Sequence, residues 1–368
     1  MKFKYRIIFF LIGLAGIGLM VWQTDFSNTD WNKLIEPEVL ILFAEIIGVW
    51  IGIYILHAIS YKIIMCEDSK KVHMHSMFRI CAAGFALNNV TPAGLVGGEP
   101  YRIMALRRYV STERAAASTL TFSILYAIGH FLLWVSGIIV YMALGFPGDT
   151  WVTVLLMVSG GVLLIVVVLF FVFRKIGFAY PVMRFLAKIP LIKRKLAPFV
   201  EKKKDSYIAI DDNIREFRRK NWRFISVLTL QYGTRLLEAF EYYLIISYLS
   251  TTPVTYFDGL LVMVTASLVG NLLFVIPMQA GSREGGTKIA LAFLGIDQGI
   301  FGMLAIIYRI RELLFITFGI VLVLMGRKYK KWQPETPIDQ NSEIGQELMK
   351  DPVVAKIEGS NESEEKKE

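Results

Sequence analysis

Apolar positions in this chain come in long uninterrupted runs, not in the one-in-three-to-four stripes of a soluble amphipathic helix. Residues 7–22, 39–59, 115–144, 151–173, 222–249 and 299–325 are such runs. A helix of about 20 apolar residues crosses the ~30 Å hydrocarbon core of a bilayer. Six full spans are therefore expected. Two further apolar stretches are broken. In FRICAAGFALNNVTPAGLVGGEPYR the break falls at Asn88-Asn89-Val90-Thr91-Pro92-Ala93-Gly94, because a helix does not run smoothly through Asn-Asn and then Thr-Pro followed by glycine. In FDGLLVMVTASLVGNLLFVIPMQAGSREGGTKIALAFLGID it runs from Pro277 to Gly286.

Basic residues at the block ends set the orientation, since Lys and Arg concentrate on the cytoplasmic side. Lys2, Lys4 and Arg6 place the N-terminus inside, and Arg327, Lys328, Lys330 and Lys331 place the end of the last span inside. Lys62, Lys70, Lys71 and Arg79 precede the first broken stretch, and Arg102, Arg107, Arg108 and Arg114 follow its break. Both of its ends are thus cytoplasmic, as in a re-entrant hairpin. The second broken stretch begins and ends outside. Block 7–22 resembles a signal peptide, but its apolar core is long and Gln23-Thr24-Asp25 follows in place of a small-residue cleavage site, so it reads as a retained signal anchor. The expectation is an all-α, polytopic helical protein of the bacterial inner membrane, multi-pass, with both termini cytoplasmic.

Composition sharpens this. The chain is 55% hydrophobic and carries a net charge of +9. The tail 333–368 has ten acids and four lysines, so it contributes −6 and the remainder +15. That tail is aromatic-poor and aperiodic, and disorder is expected of it; residues 1–332 form the transmembrane domain. Loop 174–223 carries fifteen Lys/Arg against five acids, which fits amphipathic pieces on the inner leaflet or a solvated loop. The basic excess sits at span ends and suggests anionic lipid rather than nucleic acid as partner. Two cysteines and four scattered histidines supply no disulfide framework or metal site. GSREGGTK looks superficially like a phosphate loop, but Thr287 precedes Lys288 and no βα unit surrounds it. No catalytic residue and no cofactor is assigned.

The two broken stretches align. Glu99 lies seven residues after Pro92, and Glu284 seven after Pro277; Arg102 and Lys288 follow at plus three and plus four. The repeats, about 39–144 and 222–325, would insert with opposite orientation. In transporters of that architecture broken helices meet near the midplane and build the site. Gly94, Gly97 and Gly98 would let backbone N–H groups approach a ligand near Asn88. A helix starting near Glu99 or Pro100 would aim its positive end there, and Arg102 would complete a phosphate site. A Glu99–Arg102 pair stapling the turn is the alternative.

Two spans carry mid-helix ions: Arg235, Glu238 and Glu241, and Arg309, Arg311 and Glu312. Each costs about 2.5–3.5 kcal/mol to insert unpaired. Arg235–Glu238 and Arg309–Glu312 are i,i+3 pairs that can neutralise each other, so a structural network and a polar pathway both remain open. Arg311 has no pair on its own helix and is the leading candidate for an anionic headgroup ligand. Glu45 and His130, each alone in its span, are expected to pack or to bond between helices.

GGEPYRIMALRR after the first break, IPMQAGSREGG at the second and the arginine-bearing last span resemble the transmembrane domain of the lysylphosphatidylglycerol synthetase/flippase family. The resemblance covers residues 1 to about 330. It implies a lipid translocase, with Glu99, Arg102, Arg283, Glu284 and Arg309 as the residues to watch. Larger members add a soluble aminoacyl transferase domain, which this chain lacks, so lipid aminoacylation is not expected. Thr121-Phe122-Ser123-Ile124 stands where the second half has Ile306-Ile307-Tyr308-Arg309, so the two half-sites need not be equivalent. The expected cargo is an anionic or isoprenoid-linked lipid, such as a polyisoprenyl phosphate. Alternatives are an intramembrane enzyme using Glu99 or Glu238 as base on a lipid-linked sugar or phosphate, or a non-catalytic scaffold meeting envelope-synthesis partners or a second copy of the chain.

Overall fold

Helix α1 (Pro37–Ile64) starts with proline in its first turn, where the missing N–H has no helical partner to lose, and carries Glu38 in the first turn and Lys62 in the last, matching the helix dipole. A turn at Cys66, held at φ 55° in the left-handed region, leads into a short 3-10 segment, Cys66–Lys71. The computed structural model describes residues 36–90, 98–145, 161, 204–272 and 282–325. Within these, α2 (Met74–Val90), α3 (Gly98–Leu106), α4 (Thr112–Ala143), α5 (Lys204–Arg218), α6 (Asn221–Leu249), α7 (Tyr256–Leu272), α8 (Ser282–Phe293) and α9 (Phe301–Met325) follow in order. Every described element is helical. Ser111 caps α4 by accepting from the Arg114 N–H at 3.2 Å.

Helices α1 and α4 are long and apolar enough to cross a bilayer, with mean hydropathy 2.5 and 1.9. Helices α6 and α9, of 29 and 25 residues, have the length but hold ions at mid-helix. Block 7–22, block 151–173 apart from Gly161, the basic stretch up to 203 and the acidic tail lie outside the described residues, as do Gly97 and the Pro277 break up to Gly281.

Each broken stretch folds as two helices packed on each other, α2 on α3 and α7 on α8. The boundaries differ from expectation. Helix α2 runs through Asn88-Asn89 to Val90, so the asparagines are helical, while Thr91, Pro92, Ala93 and Gly94 lie outside the described residues. Asn89 Nδ2 donates to the Phe85 carbonyl at 3.0 Å and so keeps its side chain on the helix. Helix α8 resumes at Ser282 and takes Glu284, Gly285 and Gly286 into its first turns. Glycine costs a helix about 1 kcal/mol against alanine, and the α7–α8 contact outweighs that. Helix α1 extends a turn past residue 59 because Tyr61 and Ile64 are buried apolar positions. Glu45 is exposed on α1 and does not serve the packing role expected of it.

Helices α1 and α6 pack antiparallel along their lengths, and Tyr248 Oη donates to Glu36 at 3.2 Å where the start of α1 meets the end of α6. The hairpins then cross over. The first arm of the first hairpin, α2, packs on α9, and the first arm of the second, α7, packs on α4. Both crossings use a glycine on the long helix. A Cβ at Gly319 would sit 2.4 Å from Ala86 Cβ, and one at Gly137 would sit 2.6 Å from Val264 Cγ2. Small residues at such crossings let backbones approach within van der Waals contact.

The main apolar core joins Trp50, Tyr54, Leu133, Ile245, Val264 and Ile307. A second cluster, around Tyr61, Met77, Leu106, Phe122 and Val227, fills the space by the end of α1. On the outside, α1 exposes Leu40, Ile41, Ile47, Ile51 and Ile55. An apolar exterior around an ion-bearing interior is the arrangement of a protein solvated by lipid.

Candidate functional site

The ion-bearing helices are held apart by aromatic side chains, and a cavity of about 500 Å³ opens between them. Its wall takes Trp50 and His57 from α1, Phe85, Asn88 and Asn89 from α2, Glu99 and Arg102 from α3, and Phe122, Ser123, Tyr126 and His130 from α4. Arg235, Glu238, Glu241 and Tyr242 come from α6, Ser267 and Asn271 from α7, Arg283 from α8, and Tyr308, Arg311 and Glu312 from α9. Of the residues singled out in the sequence, Asn88, Glu99, Arg102, Arg235, Glu238, Arg283 and Arg311 converge here. Glu284, Lys288 and Arg309 do not line it. Lys288 is exposed, whereas Arg309 is buried and held by Glu284 and Glu312.

On the first-hairpin side, Glu99 Oε1 accepts from Asn88 Nδ2 at 3.2 Å, Ser123 Oγ at 3.2 Å and Arg102 Nη1 at 3.4 Å. Asn88 Oδ1 in turn accepts from the Gly98 N–H at 2.8 Å, which satisfies a donor at the start of α3. The glutamate–arginine staple and a polar wall are therefore the same group of residues. On the second-hairpin side the chemistry differs. Arg309 Nε donates to Glu284 at 2.8 Å, and Arg283 donates to the Tyr308 hydroxyl. Ser123 and Tyr308, at matching positions on α4 and α9, each reach back to their own hairpin, one to a carboxylate and the other to a guanidinium.

Between the two sides stand the mid-helix ions. Arg235 donates to both Glu238 oxygens at 2.7 Å and lies 3.9 Å over the Tyr126 ring. Arg309 Nη1 meets Glu312 at 3.0 Å. Both i,i+3 pairs expected from spacing form. Arg311 does not stand free. Its Nε donates to Glu241 of α6 at 2.6 Å, both residues are 1% exposed, and the guanidinium is sandwiched by Trp50 at 4.3 Å and Tyr308 at 4.1 Å. Spacing along α9 alone offers it no partner, and the partner comes from α6. Arg283 is the wall cation that meets no carboxylate within ion-pair distance among the described residues.

The wall holds four arginines and four glutamates, so it is balanced in charge. It is not balanced in hydrogen bonds. Five guanidinium nitrogens, Arg102 Nε, Arg235 Nε and Nη2, Arg283 Nε and Arg311 Nη2, are buried without an acceptor among the described residues, against one wall carboxylate oxygen, Glu99 Oε2, buried without a donor. A guanidinium has five N–H donors and no acceptor, so what this wall lacks is an acceptor-rich group.

A family model for the lysylphosphatidylglycerol synthase TM region matches residues 7–319. The chain belongs to this family. Membership makes it a membrane protein of lipid metabolism or transport. No curated protein and no solved structure matches it.

In this lysylphosphatidylglycerol synthase TM-region protein, several wall residues escaped the sequence reading. Glu241 and Glu312 were visible as mid-helix ions but had no signal placing them on a wall. Trp50 and His57, seven apart, share a face of α1, which a search for polar or aromatic residues at helical spacing would have found. Asn271 has a clearer signal. It stands before the second break as Asn89 stands before the first, and both donate to the carbonyl four residues earlier, at 2.7 and 3.0 Å. His130, expected to pack or to bond between helices, lies edge-on to Trp134 at 4.8 Å and also reaches the wall.

Proposed function

We propose that this protein is a lipid translocase, in which a phosphate-bearing headgroup passes through the central cavity while its tails stay in the surrounding lipid. The observation that carries the reading is one cavity wall with four arginines, one from each hairpin and one from each ion-bearing helix, whose guanidinium N–H groups can donate to a common acceptor. Phosphate oxygens accept several such bonds at once, and Arg–phosphate contacts are charge-assisted. The proposed architecture is six spans and two re-entrant hairpins in an inverted repeat, where the broken helices flank the site. The crosswise packing of α2 on α9 and α7 on α4 supports it.

Arg283 is the key donor in this reading, because among the described residues it meets no carboxylate within ion-pair distance and a headgroup phosphate would supply an anion. Purified protein in liposomes with a tail-labelled phospholipid, followed by an impermeant quencher, tests it. Arg283→Ala is expected to lower the rate of leaflet exchange at least tenfold, in line with the roughly 1.5–3 kcal/mol of a charged hydrogen bond. Its unfolding temperature should stay near wild type, since no carboxylate is stranded. Exchange at the wild-type rate in Arg283→Ala would exclude the role, and a covalently altered lipid in the same vesicles would turn the reading toward an intramembrane enzyme.

A further inference from the structure

Away from the central cavity, a second pocket of about 300 Å³ opens where the end of α1 meets the start of α6. Ile59, Lys62 and Ile63 form one side, Cys66 and Ser69 the floor, and Trp222 and Arg223 the other side. One of its two cations is held by a hydrogen bond. Lys62 Nζ donates to the Val72 carbonyl at 2.9 Å, which leaves two ammonium N–H groups, and the Arg223 guanidinium lies 5.8 Å from the Trp222 ring. Among the described residues neither meets a carboxylate within ion-pair distance, whereas the nearby Arg114 takes both Asp68 and Glu216. Two cations on one pocket, with Asp68 and Glu216 taken by Arg114, favour an anion.

The surroundings say what kind. Ile51, Ile55, Ile59 and Ile63 follow one another at i,i+4 along α1, and Ile51 and Ile55 are 44% and 40% exposed. This ridge leads from the pocket down the apolar helix for about 18 Å at 1.5 Å per residue, a little more than the ~15 Å of one leaflet's hydrocarbon. On α6, Trp222 and Ile225 are each 59% exposed on the same side, one turn apart. Tryptophan with Lys and Arg at the end of an apolar helix is the signature of the membrane–water interface. Inorganic phosphate would satisfy the cations and leave the isoleucine ridge uncovered.

We propose that this pocket binds an anionic phospholipid of the surrounding bilayer, its phosphate between Lys62 and Arg223 and one acyl chain along Ile63, Ile59, Ile55 and Ile51. The site is independent of the translocation reading, since it shares no residue with the central cavity. The occupant is a resident lipid that ties the start of α6, and with it Arg235 and Glu238 further along the same helix, to the leaflet charge.

Native mass spectrometry of the full chain in detergent, titrated with phosphatidylserine or with phosphatidylcholine of the same chains, tests it. The wild type is expected to retain one phosphatidylserine in preference to phosphatidylcholine. Lys62→Gln or Arg223→Gln should each weaken that binding about fivefold, and the pair about thirtyfold. Ser69→Glu, which removes no cation and sets a carboxylate on the pocket floor, should weaken it as well. Equal retention by wild type and all four variants, or no preference over phosphatidylcholine, would overturn the proposal. Displacement of the lipid by millimolar inorganic phosphate would overturn the lipid assignment and leave an anion site. Leaflet exchange measured in parallel separates the two proposals, because absence of a lipid preference with exchange intact overturns only the pocket site.

Discussion

Glu241, 1% exposed, accepts from two other helices: Arg311 Nε of α9 at 2.6 Å and Trp50 Nε1 of α1 at 3.0 Å. Burying either ion alone is costly, while the pair with its aromatic sandwich offsets much of that cost. Glu241→Gln therefore leaves Arg311 buried without its counter-ion and should lower stability by about 3–5 kcal/mol. Replacing both, as Glu241→Leu with Arg311→Met, should recover the part due to the stranded charge, less about 1–3 kcal/mol for leaving the Trp50 Nε1 donor without its acceptor. Thermal unfolding in detergent reads both variants. A double variant as unstable as Glu241→Gln would mean that packing around the site matters more than the charge. Arg283 is the contrast at this scale. Its hydrogen-bonded neighbour is a phenol rather than a carboxylate, so its removal is a test of ligand binding with little structural consequence.

At the scale of helices, the two crossings depend on Gly319 against Ala86 and Gly137 against Val264. Gly319→Val or Gly137→Val must push α9 from α2 or α4 from α7, at about 1–3 kcal/mol of overpacking. Gly48→Val on α1, where a Cβ meets nothing within 4 Å, is the control and should leave the unfolding temperature nearly unchanged. Equal shifts in all three would assign the effect to helix propensity instead. The helices themselves were legible because unbroken apolar length is a property of sequence alone. So were Arg235–Glu238 and Arg309–Glu312, since i,i+3 spacing is local geometry. The ends of the breaks were not. Asn88, Asn89 and Gly286 each disfavour helix by no more than about 1 kcal/mol, and contacts with neighbouring helices decide such margins. Arg311–Glu241 and Arg309–Glu284 were illegible for a related reason: they join residues 70 and 25 positions apart, and only the packed helices bring them together.

For the whole molecule, the translocation proposal requires the hairpins to enter from opposite faces. An anionic headgroup crossing the midplane meets the same insertion cost that the mid-helix ions meet, about 2.5–3.5 kcal/mol per charge on insertion scales. A polar wall reached from both sides removes that cost along the path, and a wall reached from one side forms a binding site only. Crosswise packing of α2 on α9 and α7 on α4 is consistent with opposed entry, because each hairpin then rests on the long helix of the other half. The connections after the hairpins report on it directly. Arg107 follows α3, Gln298 follows α8, and both are exposed. In a background with Cys66 and Cys81 replaced by serine, Arg107→Cys and Gln298→Cys can be labelled in oriented vesicles with an impermeant maleimide. The expected result is labelling of Arg107→Cys from the cytoplasmic face alone and of Gln298→Cys from the opposite face alone. Labelling of both from one face would remove the inverted repeat, and with it the route by which a charge passes from one leaflet to the other, while the pairings that line the cavity would still stand.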